Sequence, residues 1–212
     1  MLRRRTASPD PVLRRPRTTA LPMLFAALAG AASVLSFAPF GWWPVEIFAL
    51  AFLFYQVGMD TSVRRSSLLG WAFGFGWSVA GMHWLYITMN RFGSIPGPLA
   101  VLAVCLLGAY MGLFGAFATG ASTWLRRRCT VPVTGFLFLV LPFGWGISEW
   151  MRGWVLTGFP WVASGYAQNN SPLVGYAPLI GVYGVGVMVA LCAGAIAMLT
   201  QKKRSSAPPC WP

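Results

Sequence analysis

Apolar runs at residues 21–37, 45–59, 68–89, 99–125, 131–150 and 178–200 leave this chain few folds to choose from. Each is near the length, about 20 residues, that an α-helix needs to cross the hydrocarbon core of a bilayer. None shows the alternating pattern, about ten residues long, that marks a strand of a membrane barrel. Only 9% of the residues are charged and 57% are hydrophobic, against about 25% charged in a soluble domain. The fold class is therefore read as all-α, a polytopic membrane helix bundle of about six transmembrane helices. The second run is short, and Glu46 at its start is expected to reach water. No internal repeat of fixed period is present.

The placement of charge sets the topology. Net charge is +12, a balance that often points to nucleic acid. Here the basic residues sit in clusters at the ends of apolar runs, where they orient a membrane protein and meet anionic lipid heads, so no nucleic-acid partner is expected. With six spans and a cytoplasmic N-terminus, all but Arg91 and Arg152 of the 16 basic residues fall on the cytoplasmic side, as positively charged loops do. Both termini are then cytoplasmic. The Trp-bearing turn at 38–44, the turn at 90–98 and a cap at 151–177 share the outer, periplasmic face. The organisation follows: a basic arm at 1–20, expected to be disordered; a six-helix domain at 21–200; and a polar tail at 201–212. The arm and first run resemble a signal peptide with a small-residue site at Ala29-Gly30-Ala31, and are read instead as an uncleaved anchor. The arm's arginine pairs also mimic a twin-arginine export signal, a secondary reading.

The stretch Glu149 to Tyr166 breaks helix periodicity with Gly153, Gly158, Pro160 and Gly165 and carries Trp150, Trp154, Trp161 and Tyr166. Amphipathic aromatic rings gather at membrane–water interfaces, so this stretch reads as a structured cap. Glu149 and Arg152 are three apart and can pair on one helix face; the pair either orders the cap or meets a phosphate or carboxyl head group. His83 is an ionisable residue within a span and needs a reason to be there: a neighbouring hydroxyl or carbonyl that satisfies it, or a polar contact with a lipid head or another helix. Gly70 and Gly74, and Gly108 and Gly112 with Gly115 beyond, have the spacing that lets helix backbones approach in lipid. No Ser-His-Asp set, no metal-ligand spacing and no phosphate-binding glycine loop is visible, so no metal or cofactor is expected. Cys105, Cys129, Cys192 and Cys210 are read as structural. Asn169-Asn170-Ser171 matches a glycosylation sequon, a short pattern that is often unused.

Several motifs together carry a resemblance. They are Phe37-Ala38-Pro39-Phe40 with Trp43-Pro44, and Gly81-Met82-His83-Trp84-Leu85-Tyr86 with Phe92-Gly93 and Pro96-Gly97-Pro98. Further along come Glu149 to Trp161 with Gly165-Tyr166-Ala167-Gln168, then Pro172-Leu173 and Ala177-Pro178-Leu179-Ile180-Gly181-Val182. On these the chain resembles the N-terminal membrane part of bacterial apolipoprotein N-acyltransferase, over roughly residues 20–200.

The resemblance implies an enzyme of the bacterial cytoplasmic (inner) membrane that serves lipoprotein maturation. It moves an acyl chain from a phospholipid to the N-terminal cysteine amine of an apolipoprotein. In that family a nitrilase-like domain supplies a Glu-Lys-Cys triad, and the reaction passes through a thioester. The likeness ends before that domain's position, and none of the four cysteines precedes Tyr-Glu as the family's nucleophile does. His83 stands where the family pattern has Asn or another small polar residue. The expectation is a truncated, multi-pass membrane module that is inactive alone. It would present His83, Trp84, Tyr86, Glu149, Arg152, Trp161 and Tyr166 to phospholipid or apolipoprotein, and could work with a separately encoded nitrilase-like domain. Two other readings stand beside it: a non-enzymatic membrane protein that binds lipid or a partner, and the remnant of a split or frameshifted gene.

Overall fold

The computed structural model describes residues 19–60 and 62–205. The expectations for the arm before residue 19, for Cys210 and for the end of the tail lie outside the described residues. The described chain is helical without a strand. Its helices are α1 (Ala20–Ser33), α2 (Pro44–Gly58), α3 (Val63–Gly81), the short α4 (His83–Ile87), α5 (Gly97–Arg128), α6 (Val133–Arg152) and α7 (Ala177–Ser205). Six of these close a ring in the order α1, α3, α5, α6, α7, α2, each touching its two neighbours.

The ring is filled by aromatic side chains. Trp145 of α6 stands at the centre, with ring centroids 6.3 Å from Phe54, 5.7 Å from Phe73 and 5.9 Å from Trp77. Offset and edge-on aromatic pairs of this kind add to the burial of their large apolar area. The most extensive helix contact is α3 against α5. There the glycine spacing has its expected use: a Cβ on Gly70 would run into the Gly115 carbonyl, and one on Gly74 would lie 3.1 Å from Gly112 Cα. Thr119 Oγ1 crosses the same seam and donates to Ser66 O at 2.8 Å.

The outer surface of the ring is apolar. Leu24 and Leu28 on α1, Leu102, Leu106 and Leu113 on α5, and Phe143 and Ile147 on α6 are each exposed. A surface of this kind matches a lipid solvent and not water. Gly97–Arg128, Val133–Arg152 and Pro172–Gln201 are long and apolar enough to cross a membrane, whereas Ala20–Ser36 and Pro44–Gly58 are apolar but shorter.

Four details differ from the sequence reading. The third apolar run is not one helix: Met82 leaves helical geometry (φ −108°, ψ 16°) beside Gly81, and α4 passes into a π turn at Thr88–Phe92. Within α6 the turn Phe136–Val140 is widened to a π turn. Pro142 follows it, and a proline ring collides with the carbonyl four residues back in a regular helix. The last helix is interrupted at Gly181 (φ 66°, ψ 179°). Finally, Glu46 does not reach water but is 0% exposed. The turn before α2 folds back so that the Glu46 N–H donates to Ser36 Oγ at 2.9 Å, which carries the carboxylate under the cap.

Candidate functional site

The site lies where α6 ends. Gly153 stops the helix after Arg152, and the chain runs through short 3-10 turns at Val155–Thr157, Tyr166–Gln168 and Pro172–Tyr176 before α7 begins. This cap is held from below. Glu149 Oε1 accepts from the Ser164 N–H at 3.0 Å and from Ser164 Oγ at 2.8 Å. Trp145 Nε1 donates to the same Ser164 Oγ at 3.4 Å. Arg152 Nη2 lies 3.7 Å from Glu149 Oε1 and 3.5 Å from the Val162 carbonyl, while its own carbonyl accepts from Phe159 N–H at 2.8 Å. The guanidinium also stacks over Trp77, 5.4 Å from the ring centroid. Glu46 stands within electrostatic reach of Glu149 and Arg152. Two carboxylates and one guanidinium are thus enclosed together, and Glu149 and Arg152 are 3% and 5% exposed.

The clasp holds a strained backbone. Leu156, Thr157 and Val162 have φ of 50°, 74° and 52°, a region costly for bulky and β-branched residues that persists where surrounding contacts over-determine it. Gly158 (φ +81°) packs so close to Gly153 O that a side chain there would strike it.

Above the clasp opens a cavity of about 480 Å³ lined by Phe37, Trp84, Pro160, Trp161, Val162 and Tyr166. Trp84 and Trp161 meet edge-on at its wall, centroids 6.0 Å apart. Of the residues singled out in the sequence, Trp84, Trp161 and Tyr166 are therefore brought together in one apolar groove. Glu149 and Arg152 are not in its lining; Arg152 meets one lining residue through the Val162 carbonyl. Tyr86 is exposed and is not part of the lining. His83 is exposed too, with Nδ1 2.9 Å from Ala80 O, so a neighbouring carbonyl satisfies it. Sequence reading missed Glu46, Ser164 and Trp145 as members of the clasp. The only hint was their polar or amphipathic character inside or beside an apolar run. Among the described residues no group of three His, Cys, Asp or Glu is placed to hold a metal. Cys105, Cys129 and Cys192 are free.

A family model described as the apolipoprotein N-acyltransferase N-terminal domain matches residues 29–195, which takes in α2, α3, α5, α6 and the cap together with the end of α1 and the greater part of α7. The chain belongs to the apolipoprotein N-acyltransferase family. Among curated N-acyltransferases, that of Ralstonia nicotianae is 41% identical over 179 residues, covering 84% of this chain and 34% of the relative. That of Shewanella oneidensis is 34% identical over 91% of this chain and 37% of its own length. That of Coxiella burnetii is 38% identical over 85% and 37%. The chain thus spans about a third of the length of the N-acyltransferases it matches, and the matched third is their N-terminal part. The clasp and the groove both fall inside the N-acyltransferase domain match.

Proposed function

We propose that this chain is the membrane part of an apolipoprotein N-acyltransferase of a bacterial inner membrane, and that its groove receives an acyl chain of the phospholipid donor. The observation that carries the reading is the aromatic groove above the clasp, within a sequence that belongs to this family. Pockets for such ligands are mostly apolar with a few placed polar groups, and here Trp84, Trp161 and Tyr166 offer ring faces with N–H and O–H groups at their edges. In this reading six spans place both termini in the cytoplasm and the cap on the periplasmic face, where apolipoprotein would meet it. His83 and Tyr86 border that face without lining the groove.

The transfer itself needs an activated nucleophile beside a base, and no such set is brought together among the described residues. The chain alone therefore binds phospholipid without transferring its acyl chain, and the chemistry comes from a nitrilase-like domain, joined or separate. The test is to reconstitute the purified chain in phosphatidylethanolamine nanodiscs with a diacylglyceryl peptide, with and without a nitrilase-like domain. A photoactivatable acyl chain on the phospholipid is expected to crosslink to Trp161 or Tyr166, and acyl transfer is expected only when the domain is present. Transfer by the chain alone would defeat the claim of inactivity. Crosslinks spread evenly over the lipid-facing helices would defeat the groove.

A further inference from the structure

A second, smaller space lies on the bundle side of the clasp, between α3, α5 and α6. Its walls include Trp77, Ser78, Met111, Ser148, Glu149 and Arg152, and its volume is about 10 Å³. That is close to the minimum that holds one water molecule. The walls carry polar groups among apolar ones, unlike those of an apolar void. Arg152 Nε and Trp77 Nε1 are buried donors with no partner in the protein, on side chains 5% and 3% exposed. Away from water, a donor of this kind left without an acceptor is unfavourable. The two seryl groups supply what the donors lack. Ser148 Oγ spends its hydrogen on Trp145 O at 2.7 Å and keeps its lone pairs, and Ser78 Oγ sits on the facing helix. The site therefore offers two donors and two hydroxyl acceptors around a one-molecule space, which is the complement of water's own two acceptor and two donor positions.

We propose that this space is a water-binding site in which one water accepts from Arg152 Nε and Trp77 Nε1 and donates to the hydroxyl oxygens of Ser78 and Ser148. The water joins α3 to α6 directly below the clasp. It gives Nε of the guanidinium a partner while leaving Nη2 on Glu149 and Val162. Larger polar solutes and lipid head groups do not fit the volume, and the Arg152 guanidinium in the wall repels a cation.

Microsecond X-ray radiolytic footprinting of the whole chain in nanodiscs tests this, because hydroxyl radicals made from a bound water oxidise the side chains beside it. Met111 lines the space and Met82 does not, and both are nearly fully buried, 3% and 1% exposed. The two have the same chemistry, so the expected result is oxidation of Met111 several-fold above Met82. Equal oxidation of the two, or less at Met111, overturns the proposal. An electron-density map fine enough to show ordered water gives the second measurement. Density within hydrogen-bond distance of both Arg152 Nε and Trp77 Nε1 supports the site. Both nitrogens found paired to protein acceptors overturns it.

Discussion

Glu149 ties the cap to the end of α6. It answers two Ser164 donors and stands against Arg152, all in a part of the chain shielded from water. Removing one partner of such a buried set strands the other charge, which costs about 3–5 kcal/mol. Glu149→Ala is therefore expected to lower the melting midpoint of the detergent-solubilised chain steeply. Glu149→Gln, which keeps an oxygen acceptor for Ser164, is expected to lose less. Equal midpoints for wild type and Glu149→Ala would mean that the clasp contributes nothing. His83 is the contrast. It is exposed and bound only to the carbonyl of Ala80 one turn back, so His83→Ala should stay within about 0.5 kcal/mol of wild type in the same measurement, as surface changes do. Gly158 is sensitive for a third reason. Its φ of +81° and its approach to Gly153 O leave no room for a methyl. Gly158→Ala is expected to open the cap, read as a rise in protease cleavage between residues 153 and 171 while the ring helices stay protected.

At the scale of elements, the α3–α5 seam and the end of α2 are the two joints to test. In lipid no hydrophobic force draws helices together, so backbone proximity at Gly70, Gly74, Gly112 and Gly115 does that work through dispersion contacts. Gly70→Val would push Cβ and two methyls into Gly115 O and Thr119. The expected outcome is a chain that still inserts but fails to give a monodisperse peak in size-exclusion chromatography. The second joint is Arg126. Its Nη1 donates to the Gly58 carbonyl at 3.1 Å, and its guanidinium lies 4.8 Å from the Phe136 ring centroid. One side chain thereby closes the C-terminal end of α2 and touches α6. Hydrogen bonds to charged groups contribute about 1.5–3 kcal/mol, so Arg126→Ala should lower the thermal midpoint measurably, and Arg126→Lys should recover only part of it because lysine lacks the planar fork.

Taken as a whole molecule, the ring and cap define two ends. If the cap faces the periplasm, a membrane-impermeant maleimide added to spheroplasts should label a cysteine placed at Ser94 or Asn170 and spare the exposed Cys129 until the membrane is opened; the reverse pattern would invert the topology. Much of this plan was legible in the residues. The glycine spacing named its own seam, the apolar runs marked the ring helices, and the aromatic stretch from Glu149 onward marked the cap. Glu46 was misread because a carboxylate in the first turn of a helix looks interfacial, and only the fold-back at Ser36 and the cover of Ser164 bury it. The groove was half visible: Trp84, Trp161 and Tyr166 stood out, while Phe37, Pro160 and Val162 join them through a cap path that depends on left-handed residues with no sequence signature. The π turn at Phe136–Val140 was silent for a similar reason, since it shows only as a widened helix ahead of Pro142. Yet that turn amounts to one extra residue in the helix, and each residue rotates an α-helix by about 100°. An in-frame loss of a single codon there would regularise the helix and swing Glu149 and Arg152 away from Ser164, so gene copies in this lineage should tolerate substitutions across 136–140 far better than they tolerate a change in its length.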